Sequence, residues 1–239
     1  MRRMRHLKPR EIQGCQLALD ASIPTSLYDA TSGGSLVAAD GAVARWEDQS
    51  GNSRHATQGT SGNRPLRKTA IQGGNDVVRF DGLDDAMTHG ATSGTDPNTM
   101  FCVINRRATQ SNYRVLLTYG TSGTAGAIFN LRNSANFAGT YTGVDANSTY
   151  TPPTDSGCTL SQRENSGISW VANAASAGTA SGNAVTHSGG AYVGCGFSGG
   201  ALFHSQVDFC EASVWDVAVA DYQIRRLHHA KMRKWRING

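Results

Sequence analysis

A chain of 239 residues with 38% apolar content is long enough and apolar enough to bury a full core, which excludes a globally disordered protein. Its 28 glycines and low charged fraction of 17% point to many short strands joined by turns rather than to a helical or α/β protein. The net charge of +4 conceals an asymmetry: residues 2–10 and 221–239 together carry +10, leaving −6 on residues 11–220.

The chain opens on a basic arm, residues 1–10, in which Arg2, Arg3, Arg5, Lys8 and Arg10 meet no acid. The arm leads into no apolar h-region, and no stretch reaches the roughly 18 apolar residues of a membrane helix. We therefore expect a protein made in the cytoplasm, without a secretory signal and without a membrane partner. Residues 11–239 read as one domain. Leu17 and Leu19 alternate in a first strand, and 77–81 gives the next clear one. The run 99–104 is apolar throughout, as a central strand covered on both faces would be. Residues 113–119 and 127–131 look like a pair across a glycine-rich turn. Further strands are expected at 137–141, 167–172, 191–193 and 207–215. From 221 to 235 the period turns helical: Ile224, Leu227 and Trp235 form a stripe that the stem of Lys231 completes. Asp221 lies at the positive end of this helix and the cations gather towards the other. The helix should cross the sandwich with Trp235 as its buried anchor.

Cys15, Cys102, Cys158, Cys195 and Cys210 are odd in number and form no Cys-x-x-Cys. They read as reduced core thiols rather than as a zinc site or a disulfide framework.

Three segments together carry a family likeness. The first is Ile12-Gln13-Gly14-Cys15-Gln16-Leu17-Ala18-Leu19-Asp20-Ala21-Ser22. The second runs Val43-Ala44-Arg45-Trp46-Glu47-Asp48-Gln49-Ser50-Gly51-Asn52-Ser53-Arg54-His55-Ala56-Thr57-Gln58, then Arg64-Pro65, then Val77-Val78-Arg79-Phe80-Asp81-Gly82-Leu83-Asp84-Asp85. The third is 207–215 followed by the helix and Lys234-Trp235-Arg236-Ile237. The set resembles the bacterial and phage laminin-G-like domains of the concanavalin A-like lectin/glucanase superfamily. Ala18 stands where those domains carry tryptophan, Trp215 where they carry tyrosine, and Arg236 where they carry glycine. The resemblance implies an all-β fold: a two-sheet antiparallel jelly-roll sandwich, concanavalin A-like, with one C-terminal α-helix. It also implies that Trp46, Asp48, Ser50, Gly51, Asn52, His55, Phe80, Asp81, Gly82, Asp85 and Trp235 are structural motif residues.

The same residues make physical sense unaided. Trp46 is a large anchor, and Asp48 to Asn52 is turn chemistry in which Gly51 supplies a positive φ. His55 reads as a hydrogen-bonded structural histidine. Beside the turn reading stands a calcium reading, with Asp48, Asn52, Asp81, Asp84 and Asp85 offering oxygen ligands; no other cofactor is expected.

Glucanases of this fold carry Glu-x-Asp-x-x-Glu on one strand, a nucleophile and an acid/base pair. Here Asp208 and Glu211 fit, but Gln206 occupies the nucleophile position, and an amide cannot form the glycosyl intermediate. His228 and His229 are adjacent on a helix and so splay about 100° apart, a poor metal pair. No catalytic machinery is expected. The leading expectation is a non-enzymatic virion protein of a bacteriophage: a capsid decoration, head-fibre or tail-associated subunit. It would dock through Arg2, Arg3, Arg5, Arg225, Arg226, Arg233 and Lys234 onto other virion proteins or copies of itself, with host cell-surface glycan as a second ligand and no sequence-specific nucleic acid. One alternative is a stand-alone bacterial lectin, with Tyr141, Tyr150 and Trp170 as platform candidates. The other is a glycoside hydrolase.

Overall fold

A computed structural model describes residues 7–90, 94–95, 98–108, 114–119, 127–131, 148, 150–164, 168–180, 186–187, 191–195, 197–198 and 201–238. The strand expected at 137–141, and the candidates Arg2, Arg3, Arg5 and Tyr141, lie outside the described residues. The described residues form two large antiparallel sheets and one C-terminal α-helix, as expected from the sequence, with two further two-stranded pairs, Gly94–Thr95 with Thr186–His187 and Phe197–Ser198 with Ala201–Leu202.

The larger sheet has eight strands. Its order is Ala175–Ala180, Ile168–Ala172, Gly157–Glu164, Asn98–Arg106, Gln206–Trp215, Asn75–Asp81 and Leu66–Gln72. The eighth, Cys15–Asp20, shares an edge of Gln206–Trp215 with Asn75–Asp81: the latter pairs residues 206–209 and the former residues 211–215. Gln206–Trp215 is thus the spine on which the beginning, the first third and the end of the chain meet. The facing sheet has seven strands, ordered Ala127–Leu131, Arg114–Tyr119, Ala191–Val193, Met87–His89, Ala56–Thr57, Arg45–Trp46 and Leu27–Tyr28.

Period-2 alternation sorts the side chains of the larger sheet between two cores. Met100, Cys102 and Ile104 point into the space between the sheets, with Phe80, Phe209 and, from the facing sheet, Trp46 and Phe129. Phe80 meets Phe209 edge to face at 5.3 Å. Phe101 and Val103 point the other way, into a second core under the helix that holds Trp215, Ile224, Leu227 and Trp235. The 99–104 run is apolar on both faces because both faces are covered.

One irregularity matters for the site. The pairing of Gln206–Trp215 with Asn98–Arg106 shifts between Phe209 and Glu211, a β-bulge that breaks the alternation. Phe209 and Ala212 both lie in the inter-sheet core, so Cys210 and Glu211 both fall on the helix side.

The helix, Asp221–Trp235, lies over that second core with Trp235 fully buried. It ends where Arg236 takes a left-handed conformation, φ 51° and ψ 46°, and the Ile237 amide donates to the Met232 carbonyl at 2.9 Å. This turn conformation suits glycine, the residue that the resembled family carries at this position. The described end of the basic arm is folded against the body: Pro9–Glu11 makes a 3₁₀ turn, Pro9 and Ile12 are buried, and Leu7 packs on the helix-side core.

Candidate functional site

The loop from Trp46 to His55 clamps the first strand. Asp48 is buried and its carboxylate accepts four hydrogen bonds: from the Ala18 amide at 2.9 Å, the Ser50 amide at 2.8 Å, the Ser50 hydroxyl at 2.6 Å and the Arg54 amide at 3.1 Å. The Gln49 amide donates to the Ala18 carbonyl at 2.7 Å, and Asn52 Nδ2 donates to the Cys15 carbonyl at 2.8 Å. These bonds occupy the edge of Cys15–Asp20 that Gln206–Trp215 leaves open, which closes an exposed strand edge. His55 Nδ1 accepts from the Asp48 amide at 3.1 Å, so its proton sits on Nε2 in the neutral ring. Gly51 has φ +100°, as the turn requires.

The second motif is a closed acidic turn. Asp81 Oδ1 accepts from the Leu83 amide at 2.7 Å, and Asp85 Oδ2 accepts from the Asp81 amide at 2.9 Å. A side chain at Gly82 would put its Cβ 2.8 Å from that of Gln206, so the turn presses against the spine strand. Burial pushes the Asp85 carboxyl up to about 6, with the charges of Asp81 and Asp84 adding to it. Asp81, Asp84 and Asp85 bring carboxylate oxygens within 4.8 Å of one another. The five-residue calcium set therefore divides: Asp48 and Asn52 spend their polar atoms on the first strand, away from this turn.

Neither acid of the glucanase-like stretch is free. Asp208 is gripped by Arg79 at 2.6 and 2.8 Å, a two-bond guanidinium–carboxylate pair. Glu211, delivered to the helix side by the bulge, accepts from Trp235 Nε1 at 2.8 Å and from Lys234 Nζ at 2.7 Å, and its other oxygen is paired with Lys231. In the strand register Glu211 stands opposite Asp20. Two carboxylates facing each other across a ladder repel. Lys234 resolves this by bridging them, reaching Asp20 at 2.6 and 2.7 Å. Burial works to depress the Lys234 ammonium, but the charges of Glu211 and Asp20 overcome it and the net shift is upward.

Beside this cluster opens a cavity of about 650 Å³. Ala18, Leu19 and Ile23 line it from the first strand and the turn after it, Ala230 and Lys231 from the helix, and Leu7 to Arg10 from the folded arm. Ala18 is a small residue at the position where the resembled family carries tryptophan. Of the docking candidates, Arg226 and Arg233 are exposed, and Arg225 is tied to Asp221 at 2.7 Å and to the Ala174 carbonyl. Lys234 is turned inward, its ammonium taken by Asp20 and Glu211; this pairing, invisible in the helix sequence, commits to the fold a cation expected to dock a partner.

The aromatic candidates also divide. Trp170 is buried between the sheets with Nε1 donating to Gln162 Oε1 at 2.9 Å, so it offers no platform; Ala172, two residues on, points into the same core. Tyr150 is half-buried, and its hydroxyl accepts from Asn173 at 3.1 Å. All five thiols are free, with Cys102, Cys158, Cys195 and Cys210 buried. His228, weighed in the sequence only as half of a poor metal pair, has a structural role that the sequence did not suggest. It is fully buried, bonded to Ser161 Oγ at 2.8 Å and Thr159 Oγ1 at 2.7 Å, and burial pushes its imidazole down to about 3. It is neutral, and its two-sided bonding locks the helix to the Gly157–Glu164 strand.

No family model matches the chain, and no curated protein matches it by sequence. Among solved structures it is similar to domain 4 of AbnA, a GH43 extracellular arabinanase from Geobacillus stearothermophilus in complex with arabinotriose. The TM-score is 0.60 at 10% identity, over 90% of this chain and 98% of that one. It is also similar to the binding domain of Paraclostridial Mosquitocidal Protein 1, with TM-score 0.63 and 9% identity over 94% of this chain and 53% of that one. The botulinum neurotoxin serotype D ligand binding domain, in complex with N-acetylneuraminic acid, gives TM-score 0.62 and 8% identity over 94% and 53%. The chain thus spans about half the length of the toxin binding domains it matches. At these identities the likeness is one of fold, a β-sandwich.

Proposed function

We propose that the chain is a non-enzymatic, carbohydrate-binding β-sandwich module of the laminin-G-like kind, displayed on a bacteriophage particle. The observation that carries the sugar-binding half is the near-complete mutual coverage with an arabinanase domain bound to arabinotriose, a unit of the same extent with a sugar on it. The toxin domain in complex with N-acetylneuraminic acid adds support from a second neighbour. The laminin-G-like assignment draws on the motif: the residues that carry the resemblance, Trp46 to His55 and Phe80 to Asp85, anchor the core and tie strands rather than face a cleft. The non-enzymatic reading draws on Gln206 at the nucleophile position and on the ion pairs that hold Asp208 and Glu211.

The virion half rests on the two basic ends. Lys8 and Arg10 of the arm and Arg233 of the helix line one cavity, so both termini present exposed cations on the same side. A neighbouring virion subunit or another copy of the chain would dock through the cations of these ends that lie outside the cavity lining, Arg226 among them, leaving the cavity itself open.

Two measurements test the halves separately. On a glycan array the purified protein should bind a restricted set of sugars saturably, with no hydrolysis of any bound β-glucan; an array blank at high protein concentration removes the sugar reading. Particles from the producing phage should carry the chain in fixed stoichiometry, and its absence from purified particles removes the virion reading.

A further inference from the structure

We infer that the cavity between the arm, the first strand and the C-terminal helix is the sugar site, and that its ligand is a sugar bearing a carboxylate. This deepens the carbohydrate-binding reading and rests on it. The cavity volume of about 650 Å³ falls within the range of about 300–1,000 Å³ usual for small-ligand pockets. Its lining carries Lys8, Arg10, Lys231, Arg233 and Lys234 against Asp20 and Glu211, a surplus of three positive charges in a body whose residues 11–220 are otherwise acidic.

The cations are not equivalent. Lys234 is fully used between Asp20 and Glu211. Lys231 is 6% exposed and pairs only with Glu211 among the described residues, so of its three N–H donors two remain for a ligand. A buried ammonium with unused donors, facing a cavity, calls for an acceptor there. Lys8, Arg10 and Arg233 are exposed at the rim and add attraction without competing carboxylates of their own in the lining. Asp20 and Glu211 are balanced by Lys234 and Lys231, so the net attraction left for a ligand comes from the rim cations Lys8, Arg10 and Arg233, enough to hold a singly charged carboxylate. The apolar wall made by Leu7, Ala18, Ile23 and Ala230 suits the flat face of a sugar ring, and Gln49 lines the cavity with an amide oxygen that accepts no bond from the described residues.

The test is calorimetric titration of the full chain with glucuronate, with N-acetylneuraminate and with glucose. The acids should bind, glucose at least tenfold more weakly, and affinity should fall with added salt. Two variants place the site. Ala18→Trp fills the cavity and should abolish acid binding; the double variant Arg10→Gln, Arg233→Gln changes only exposed side chains, so it retains the fold, and should weaken binding at least tenfold. Neutral sugars binding as well as acids, with both variants unaffected, keep the sugar-binding module and overturn the cavity assignment. Binding of a non-sugar carboxylate such as citrate, lost in both variants, with no sugar bound at all, overturns the module reading and the sugar class together.

Discussion

The two faces of the eight-stranded sheet are both buried, yet by different chemistry. The inner face meets the second sheet mostly through apolar side chains, Val78, Phe80, Met100, Ile104 and Phe209 against Trp46, Leu117 and Phe129, with the buried Trp170–Gln162 hydrogen bond as a polar exception. The outer face meets one helix, and its apolar patch of Phe101, Trp215, Leu227 and Trp235 is interrupted by a histidine bonded on both sides and by an ion cluster of two acids and two lysines. A sheet-on-sheet core needs only volume and alternation, which many sequences supply. A helix laid on a sheet has fewer contacts, and here its position is set by paired polar groups that fit in one register. The cavity lies on this second, polar side.

The largest expected effects separate the two faces by whether a second substitution restores stability. Phe80→Ala removes a ring packed edge to face on Phe209 in a closed core and should cost about 3–5 kcal/mol in urea unfolding, with no single compensating change nearby. Glu211→Ala should cost a similar amount, about 3–5 kcal/mol, because it strands the buried Lys231 ammonium and the Trp235 indole N–H. Here, however, the double change Glu211→Leu, Lys231→Met should recover most of the loss, because Lys234 keeps Asp20 and no unpaired charge remains. If the double variant is as unstable as the single, the outer face is not organised by this cluster.

This contrast also explains what was legible beforehand. The 99–104 run and the helix stripe were readable because periodicity reports burial, and each is buried on the faces its apolar residues predict. Gly157–Glu164 escaped notice although it is central. Its inward residues Cys158 and Leu160 alternate with Thr159 and Ser161, whose hydroxyls are satisfied by His228 from a helix far along the chain. Leu27–Tyr28, Arg45–Trp46 and Ala56–Thr57 are two-residue strands, too short to show a period. The site was legible only in pieces. Basic ends were visible, but the bulge at Cys210 that turns Glu211 under the helix, and the resulting capture of Lys231 and Lys234, depend on strand register, which composition does not encode.

Acid should act on both faces, through groups that can be told apart. Burial holds His228 down to about 3 and His89 to about 4, below the ordinary imidazole value of 6.5. As pH falls below 6.5 the unfolded chain takes up protons that the folded chain refuses, so stability is lost progressively towards pH 4. Asp85, raised to about 6, works in the opposite sense: between pH 6 and 4 the folded chain holds a proton that the unfolded one lacks. Two histidines against one aspartate leave a net slope of about one proton, on the order of 1.4 kcal/mol lost per pH unit over that window. Urea midpoints at stepped pH measure it. In His228→Gln the slope should fall close to zero, and an unchanged slope would place the titrating group elsewhere.

The smallest effect is a gain, and it bears on how tightly the outer layer is tuned. Arg236 closes the helix at φ 51°, where a side chain costs about 1–2 kcal/mol and glycine is unstrained. Glycine adds freedom to the unfolded chain, about 0.5–1 kcal/mol, so Arg236→Gly should stabilise by less than about 1 kcal/mol, visible as a slightly higher melting temperature. The arginine is exposed, so the strain is not offset by packing. The resembled family has glycine here, and the retained arginine adds a cation to the end of the chain that already carries Arg226 and Arg233. If Arg236→Gly instead destabilises the helix, the guanidinium is holding the C-terminal turn by contacts of its own. If it stabilises the fold while reducing attachment to particles, the strain is retained because the positive charge at this end is what the docking surface needs.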